Sequence, residues 1–220
     1  MNLIFDLDGT LVDSSPGILA SLSVAFSASK LEPVEPLNNR LIGPPLREVL
    51  HSLCADPEPA VLDNLINQFK AHYDTAGFKQ TNPFPKVEEM IRTLSRAKIP
   101  MHIATNKRAH PTKQILDAMG WSRMFDKILS PDSFNPALPR KSAILIRLLA
   151  EANLASQDCL YIGDRYDDYK AAKEAGIQFA LAEWGFEGDS STFNEDTVIL
   201  KTPSAEYLMK YLTDKVARWS

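Results

Sequence analysis

The stretch "NLIFDLDGTLVDS" (residues 2–14) passes from a short apolar run directly into Asp6, Asp8 and Asp13, with only Leu7 between the first two. Carboxylates this close repel one another and resist leaving water, so a buried-looking strand that ends in them needs a compensating partner. What the rest of the chain offers as that partner governs both the fold and the chemistry.

The same succession recurs downstream. Short apolar runs at "IPMHIAT" (99–105), "FDKILS" (125–130), "DCLYIGD" (158–164), "IQFALAE" (177–183) and "TVIL" (197–200) alternate with helical stretches. The latter include "NKRAHPTKQILDAMG" (106–120), "RKSAILIRLLAEANL" (140–154), "DDYKAAKEAG" (167–176) and "SAEYLMKYLTDKV" (204–216). Apolar runs of this length between helices imply βαβ units and a mostly parallel sheet covered on both faces, a Rossmann-like doubly wound α/β architecture. Gly120 and Gly176 stand where helix stops belong.

Residues 15–80 break the alternation. "SSPGILASLSVAFSASK" (14–30) opens on serine before proline, a good helix start, and "PPLREVLHSLC" (44–54) and "PEPAVLDNLINQFKAHYDTA" (57–76) follow without a convincing strand. The expectation is an inserted α-helical cap over 15–80, joined by two short connections to an α/β catalytic core made of 1–14 and 81–220.

Composition narrows the class. The 220 residues carry 24 Lys and Arg against 28 Asp and Glu, a net charge of −4, and no basic arm, which argues against a general nucleic-acid partner. No apolar run has membrane-spanning length, and Asp6 and Asp8 interrupt what could otherwise read as a signal peptide. Cys54 and Cys159 have no paired spacing and read as free thiols of a reducing compartment, so the expected location is cytoplasmic.

In an open parallel sheet, ligands bind beyond the carboxyl ends of the strands. The residues expected on that rim are Asp6 and Asp8, Thr105 and Asn106, Lys141, and Asp164, Asp167 and Asp168. Several carboxylates on one rim, with no His or Cys among them, call for a hard cation, with Mg²⁺ first. A lysine and a hydroxyl beside such a cation are the parts of a phosphoryl-transfer site. The plainer alternatives are a helix N-cap for Thr105 or Asn106 and favourable helix-end charges for Asp164 to Asp168.

"DLDGTLVDS" (6–14), "IATNK" (103–107), Lys141 and "YIGDRYDDYKAAKEAG" (161–176) resemble the four ordered motifs of the haloacid dehalogenase-like hydrolases. "IGPPLREVL" (42–50) and "AEWGFEG" (182–188) look closest to the phosphoglycolate phosphatase-like members. The resemblance implies a phosphatase for a small phosphorylated metabolite, phosphoglycolate being the first guess, acting as a monomer or homodimer without nucleic acid or membrane. It makes Asp6 the nucleophile and Asp8 the acid and base. Thr105, Asn106 and Lys141 would bind the phosphoryl group, and Asp6, Asp8 (through its carbonyl), Asp164 and Asp168 would hold Mg²⁺.

Some residues stay open at this level. Asp167 is the alternative to Asp168. Arg47 in the insertion is a candidate for the distal part of the substrate or a plain surface residue. Arg165 stands where the family often has Ser or Thr, and Arg140 beside Lys141 where it often has Lys-Pro. Asp13 either bonds the backbone at the hinge or caps the next helix. The four histidines read as structural or surface residues and the three tryptophans as packing. A phosphomutase, returning the phosphoryl group to another hydroxyl, is the competing enzyme reading.

Overall fold

In the first strand, β1 (Asn2–Phe5), Leu3 and Phe5 face one side and Ile4 the other, and all three are fully buried. A strand covered on both faces must be apolar without alternation, which is why this one reads as a continuous run. The computed structural model of the chain describes residues 1–186 and 200–217.

The main sheet has six strands, all paired in parallel, in the order β5-β4-β1-β6-β7-β8. They are β1, β4 (Met101–Ala104), β5 (Lys127–Leu129), β6 (Cys159–Gly163), β7 (Gln178–Ala182) and β8 (Leu200–Thr202). Of the run expected at 197–200 only Leu200 is described, and it opens β8. α4 (Val87–Arg96), α5 (Ala109–Ala118) and α8 (Ala205–Ala217) cover the Leu3 and Phe5 face, while α6 (Lys141–Ala152) and α7 (Tyr166–Glu174) cover the Ile4 face. The two-sided covering agrees with the Rossmann-like expectation.

Between β1 and α4 the chain forms α1 (Ser15–Ser29), α2 (Leu46–Ser52) and α3 (Pro59–Tyr73) around their own apolar cluster, which includes Leu22, Phe26, Leu50, Leu65 and Phe69. Two very short strands, β2 (Val12–Asp13) and β3 (Asn82–Pro83), pair antiparallel where the chain leaves and re-enters the sheet-bearing part. Asp13 sits on that pairing, and its Oδ1 accepts from the Ser15 N–H (2.9 Å) and hydroxyl (2.6 Å). It therefore serves the start of α1 at the hinge. Both cysteines are free, with Cys159 buried.

Candidate active site

Three adjacent central strands deliver the site, each ending on a polar residue: Asp6 after β1, Thr105 after β4 and Asp164 after β6. β4 and β5 lie on one side of β1 and β6 to β8 on the other, so the strand order reverses here, the place where open α/β sheets bind ligands.

Asp6, Asp164 and Asp168 are all buried, and each offers a carboxylate oxygen within 4.8 Å of the others. Lys141 Nζ lies 2.6 Å from Asp6 Oδ2 and 2.5 Å from Asp168 Oδ1. As the first residue of α6, this lysine occupies the end of the helix that disfavours cations, and it is buried as well. Burial disfavours its ammonium, but Asp168 and Asp6 outweigh that and raise its pKa.

One lysine does not balance three carboxylates. Burial, seconded by Asp168 and Asp8, pushes the Asp6 carboxyl up to about 6 despite Lys141. Burial and the charges of Asp168 and Asp6 raise Asp164 well above the usual carboxylate range, although the Phe186 N–H donates to it at 2.9 Å. Asp6 Oδ1 is buried and accepts no hydrogen bond. An all-oxygen donor set with an orphaned oxygen and surplus negative charge fits a hard divalent cation. Gly9 lets the loop after β1 approach this cluster: its φ is +83°, and a Cβ there would come within 2.4 Å of Asp164 Oδ2.

Asp168 is oriented by accepting the N–H groups of Asp164 (3.2 Å) and Arg165 (3.0 Å) on Oδ2, while Asp167 is exposed and pairs with Lys170 at 2.6 Å. Asp8 turns its carboxylate away from the other three. It accepts the Ser14 hydroxyl at 2.5 Å and Lys107 Nζ at 2.9 and 3.0 Å. Lys107 also lies 4.7 Å from the centre of the Tyr73 ring of α3. Burial opposes the Lys107 charge, yet Asp8 and then Tyr73 overcome it and raise its pKa. Sequence reasoning misses Lys107; the available signal is a lysine in the turn before a helix, an unfavourable place for a cation.

Thr105 is buried and its hydroxyl accepts the Lys107 N–H at 3.2 Å. Neither Thr105 nor Asn106 caps α5, which starts at Ala109 with Arg108 in the cap position. Asn106 donates to the Gly43 carbonyl (3.1 Å) and Arg165 Nη1 to the Ile42 carbonyl (2.8 Å), so both reach the loop before α2. Arg108 holds Asp74 through both terminal nitrogens. Arg47 stands apart: it is exposed and pairs with Asp63 on the helical insertion. Arg140 is exposed too, 3.9 Å from Glu174.

A cavity of about 220 Å³ lies between the insertion and the strand ends, with Asp8, Asn106, Lys107 and Arg108 on its sheet side. Elsewhere the structure sorts the aromatic and imidazole residues. Trp121 is fully buried, whereas Trp184 donates to the Thr10 carbonyl at 2.9 Å and so ties the loop after β7 to the loop after β1. Trp219 lies outside the described residues. His51 and His110 are exposed, His72 meets the Ser21 hydroxyl, and His102 is buried in β4.

Residues 3–182 match the haloacid dehalogenase-like hydrolase family. The chain is 30% identical over 187 residues to the phosphoglycolate phosphatase of Aquifex aeolicus, covering 84% of this chain and 85% of that one. It is 28% identical over 201 residues to the phosphoglycolate phosphatase of Xylella fastidiosa strain Temecula1, covering 90% and 87%. Among solved structures, a haloacid dehalogenase-like family hydrolase from Streptococcus pneumoniae superposes with a TM-score of 0.84 at 24% identity, covering 96% of this chain and 97% of the other.

Proposed function

This chain belongs to the haloacid dehalogenase-like hydrolases, and from that premise we propose that it is a Mg²⁺-dependent phosphatase of a small phosphorylated metabolite, working through an aspartyl-phosphate on Asp6. The observation that carries the proposal is the Lys141 bridge between Asp6 and Asp168, which leaves Asp6 Oδ1 buried and unpartnered. An oxygen so placed accepts no hydrogen bond in the fold, which supports its reading as an oxygen that meets the cation or the phosphorus. The phosphatase relatives supply the reaction class; they leave the substrate to be chosen, with phosphoglycolate among those to test.

In the first step an Asp6 oxygen forms a bond to phosphorus as the bond to the leaving alcohol breaks. Asp8, which enters this step protonated, gives that alcohol its proton and is left as the carboxylate. In the second step Asp8 takes a proton from water, whose oxygen attacks phosphorus, and the bond to Asp6 breaks to release inorganic phosphate. Lys141 offsets the repulsion between Asp6 and the phosphoryl oxygens, and Thr105 and Asn106 supply neighbouring polar groups. Ser14 and Lys107 hold the Asp8 carboxylate in one orientation. Asp6, Asp164, Asp168 and the Asp8 carbonyl would hold the Mg²⁺, which when bound neutralises charge on the phosphoryl group. The helical insertion acts as the cap that excludes water.

The test is Mg²⁺-dependent phosphate release from 4-nitrophenyl phosphate, with Asp6→Asn as the control. Turnover is expected only with Mg²⁺ and an intact Asp6. Undiminished release by the Asp6→Asn protein would rule out this nucleophile.

A further inference from the structure

We infer that the phosphatase acts on phosphate monoesters whose leaving alcohol is uncharged and apolar, and that a carboxylate-bearing alcohol such as glycolate is a poor leaving group here. The inference rests on the phosphatase reading and names the substrate class of the same site.

The cavity between cap and sheet is where the leaving group must lie, because Asp8, the residue that protonates it, stands on its wall. The opposite wall is made of Ile18 and Leu22 of α1, Leu46 and Val49 of α2, and Phe69 and Tyr73 of α3. Five of the six present carbon surface alone, and Tyr73 adds one phenol hydroxyl that is buried without a hydrogen-bond partner. The wall as a whole favours an apolar guest over a carboxylate, which would lose most of its hydration shell there.

The polar groups on the wall receive a carboxylate no better. Lys107 and Arg108 are the two cations lining the cavity, and both are already paired: Lys107 with Asp8, Arg108 with Asp74 through two nitrogens. The Asn106 amide gives one of its two N–H groups to the Gly43 carbonyl and carries no charge to set against a carboxylate. The loop that closes the cavity carries Pro44 and Pro45, which have no backbone N–H to donate. Among the described lining residues, a carboxylate would thus meet no uncommitted side-chain cation. An aryl or alkyl group would fill the same space without cost in charge. A pocket of this kind discriminates by the burial of whole groups, and a phenyl ring in place of a methyl group gives roughly tenfold or more in kcat/KM.

The experiment compares 2-phosphoglycolate, ethyl phosphate and benzyl phosphate, all alkyl monoesters, by kcat/KM with Mg²⁺. The expected order is benzyl over ethyl by about tenfold, with phosphoglycolate lowest. Leu46→Arg places a cation on the apolar wall, and it should shift the benzyl-to-phosphoglycolate ratio toward phosphoglycolate by about tenfold. This ratio is internal to one preparation, so partial misfolding of the variant does not disturb it. Phosphoglycolate turned over best, or an unmoved ratio in the variant, overturns the inference while leaving the phosphatase standing. Phosphate release from none of the three, nor from 4-nitrophenyl phosphate, overturns both.

Discussion

Lys107 Nζ reaches both carboxylate oxygens of Asp8, at 2.9 and 3.0 Å, across 99 positions of sequence. Both partners are buried, so each charge depends on the other for its tolerance in the fold. In the proposed mechanism Lys107 is therefore a positioning residue for Asp8. Lys107→Met should lower kcat by roughly tenfold to hundredfold, a part of the roughly 10²- to 10⁴-fold that general acid–base catalysis contributes, with a smaller change in KM. It should also cost about 3 kcal/mol of stability, because it leaves a buried carboxylate short of its counter-charge. Steady-state kinetics and thermal melts check the two together. An unchanged kcat in a folded variant would show that Asp8 needs no such anchor.

How far the sequence discloses this arrangement depends on the range of each interaction. Asp6, Thr105 and Asp164 are legible because each directly follows an apolar run, and a parallel sheet brings the ends of such runs to one edge. The choice between Asp167 and Asp168 is a matter of helical phase, settled only when Asp168 turns inward to Lys141 while Asp167 meets Lys170 at the surface. The Lys107 pairing and the Gly43 contacts join segments that no periodicity connects. α4 is a different case: it is not among the helices expected from the sequence, although Val87, Met90, Ile91 and Leu94 follow the helical repeat and are fully buried. The two-residue strands β2 and β3 are too short to leave a pattern.

Asp6→Asn should abolish turnover and yet leave the metal-free protein at least as stable as the parent near neutral pH. The Asp6 carboxyl is pushed up to about 6 chiefly by burial, so its ionised form is disfavoured in the fold. The neutral amide removes that repulsion, while Lys141 keeps Asp168 as a partner. Differential scanning fluorimetry without Mg²⁺ reads the outcome. A large loss of melting temperature would mean that the Lys141 pairing, and not repulsion, dominates at Asp6.

The same shift sets a pH dependence. Asp6 in the unfolded chain loses its proton near 3.8 and in the fold near about 6. Between these values the folded state holds more protons, so this group's contribution to stability falls as pH rises through the window and stays lower above it. Burial raises Asp164 in the same direction. A divalent cation competes with those protons, so Mg²⁺ should raise the melting temperature more at about pH 7.5 than at about pH 5. Equal shifts at the two pH values would place Mg²⁺ binding away from this cluster.

Gly43 links the helical insertion to the sheet through its carbonyl, which Asn106 bonds, and through the space it leaves for Arg165. Its φ is +110°, and a Cβ there would lie 2.6 Å from Arg165 Cδ. Gly43→Ala thus strains the backbone by about 1–3 kcal/mol and displaces the arginine that donates to Ile42. The loop that closes the cavity then shifts away from Asn106, and kcat/KM should fall by about tenfold, chiefly through KM. Arg165→Ala relieves the clash but leaves the backbone strain. The double variant should therefore lose less than the sum of the two single losses, since both act on one contact. Strict additivity in kcat/KM would show that Gly43 and Arg165 influence substrate capture separately.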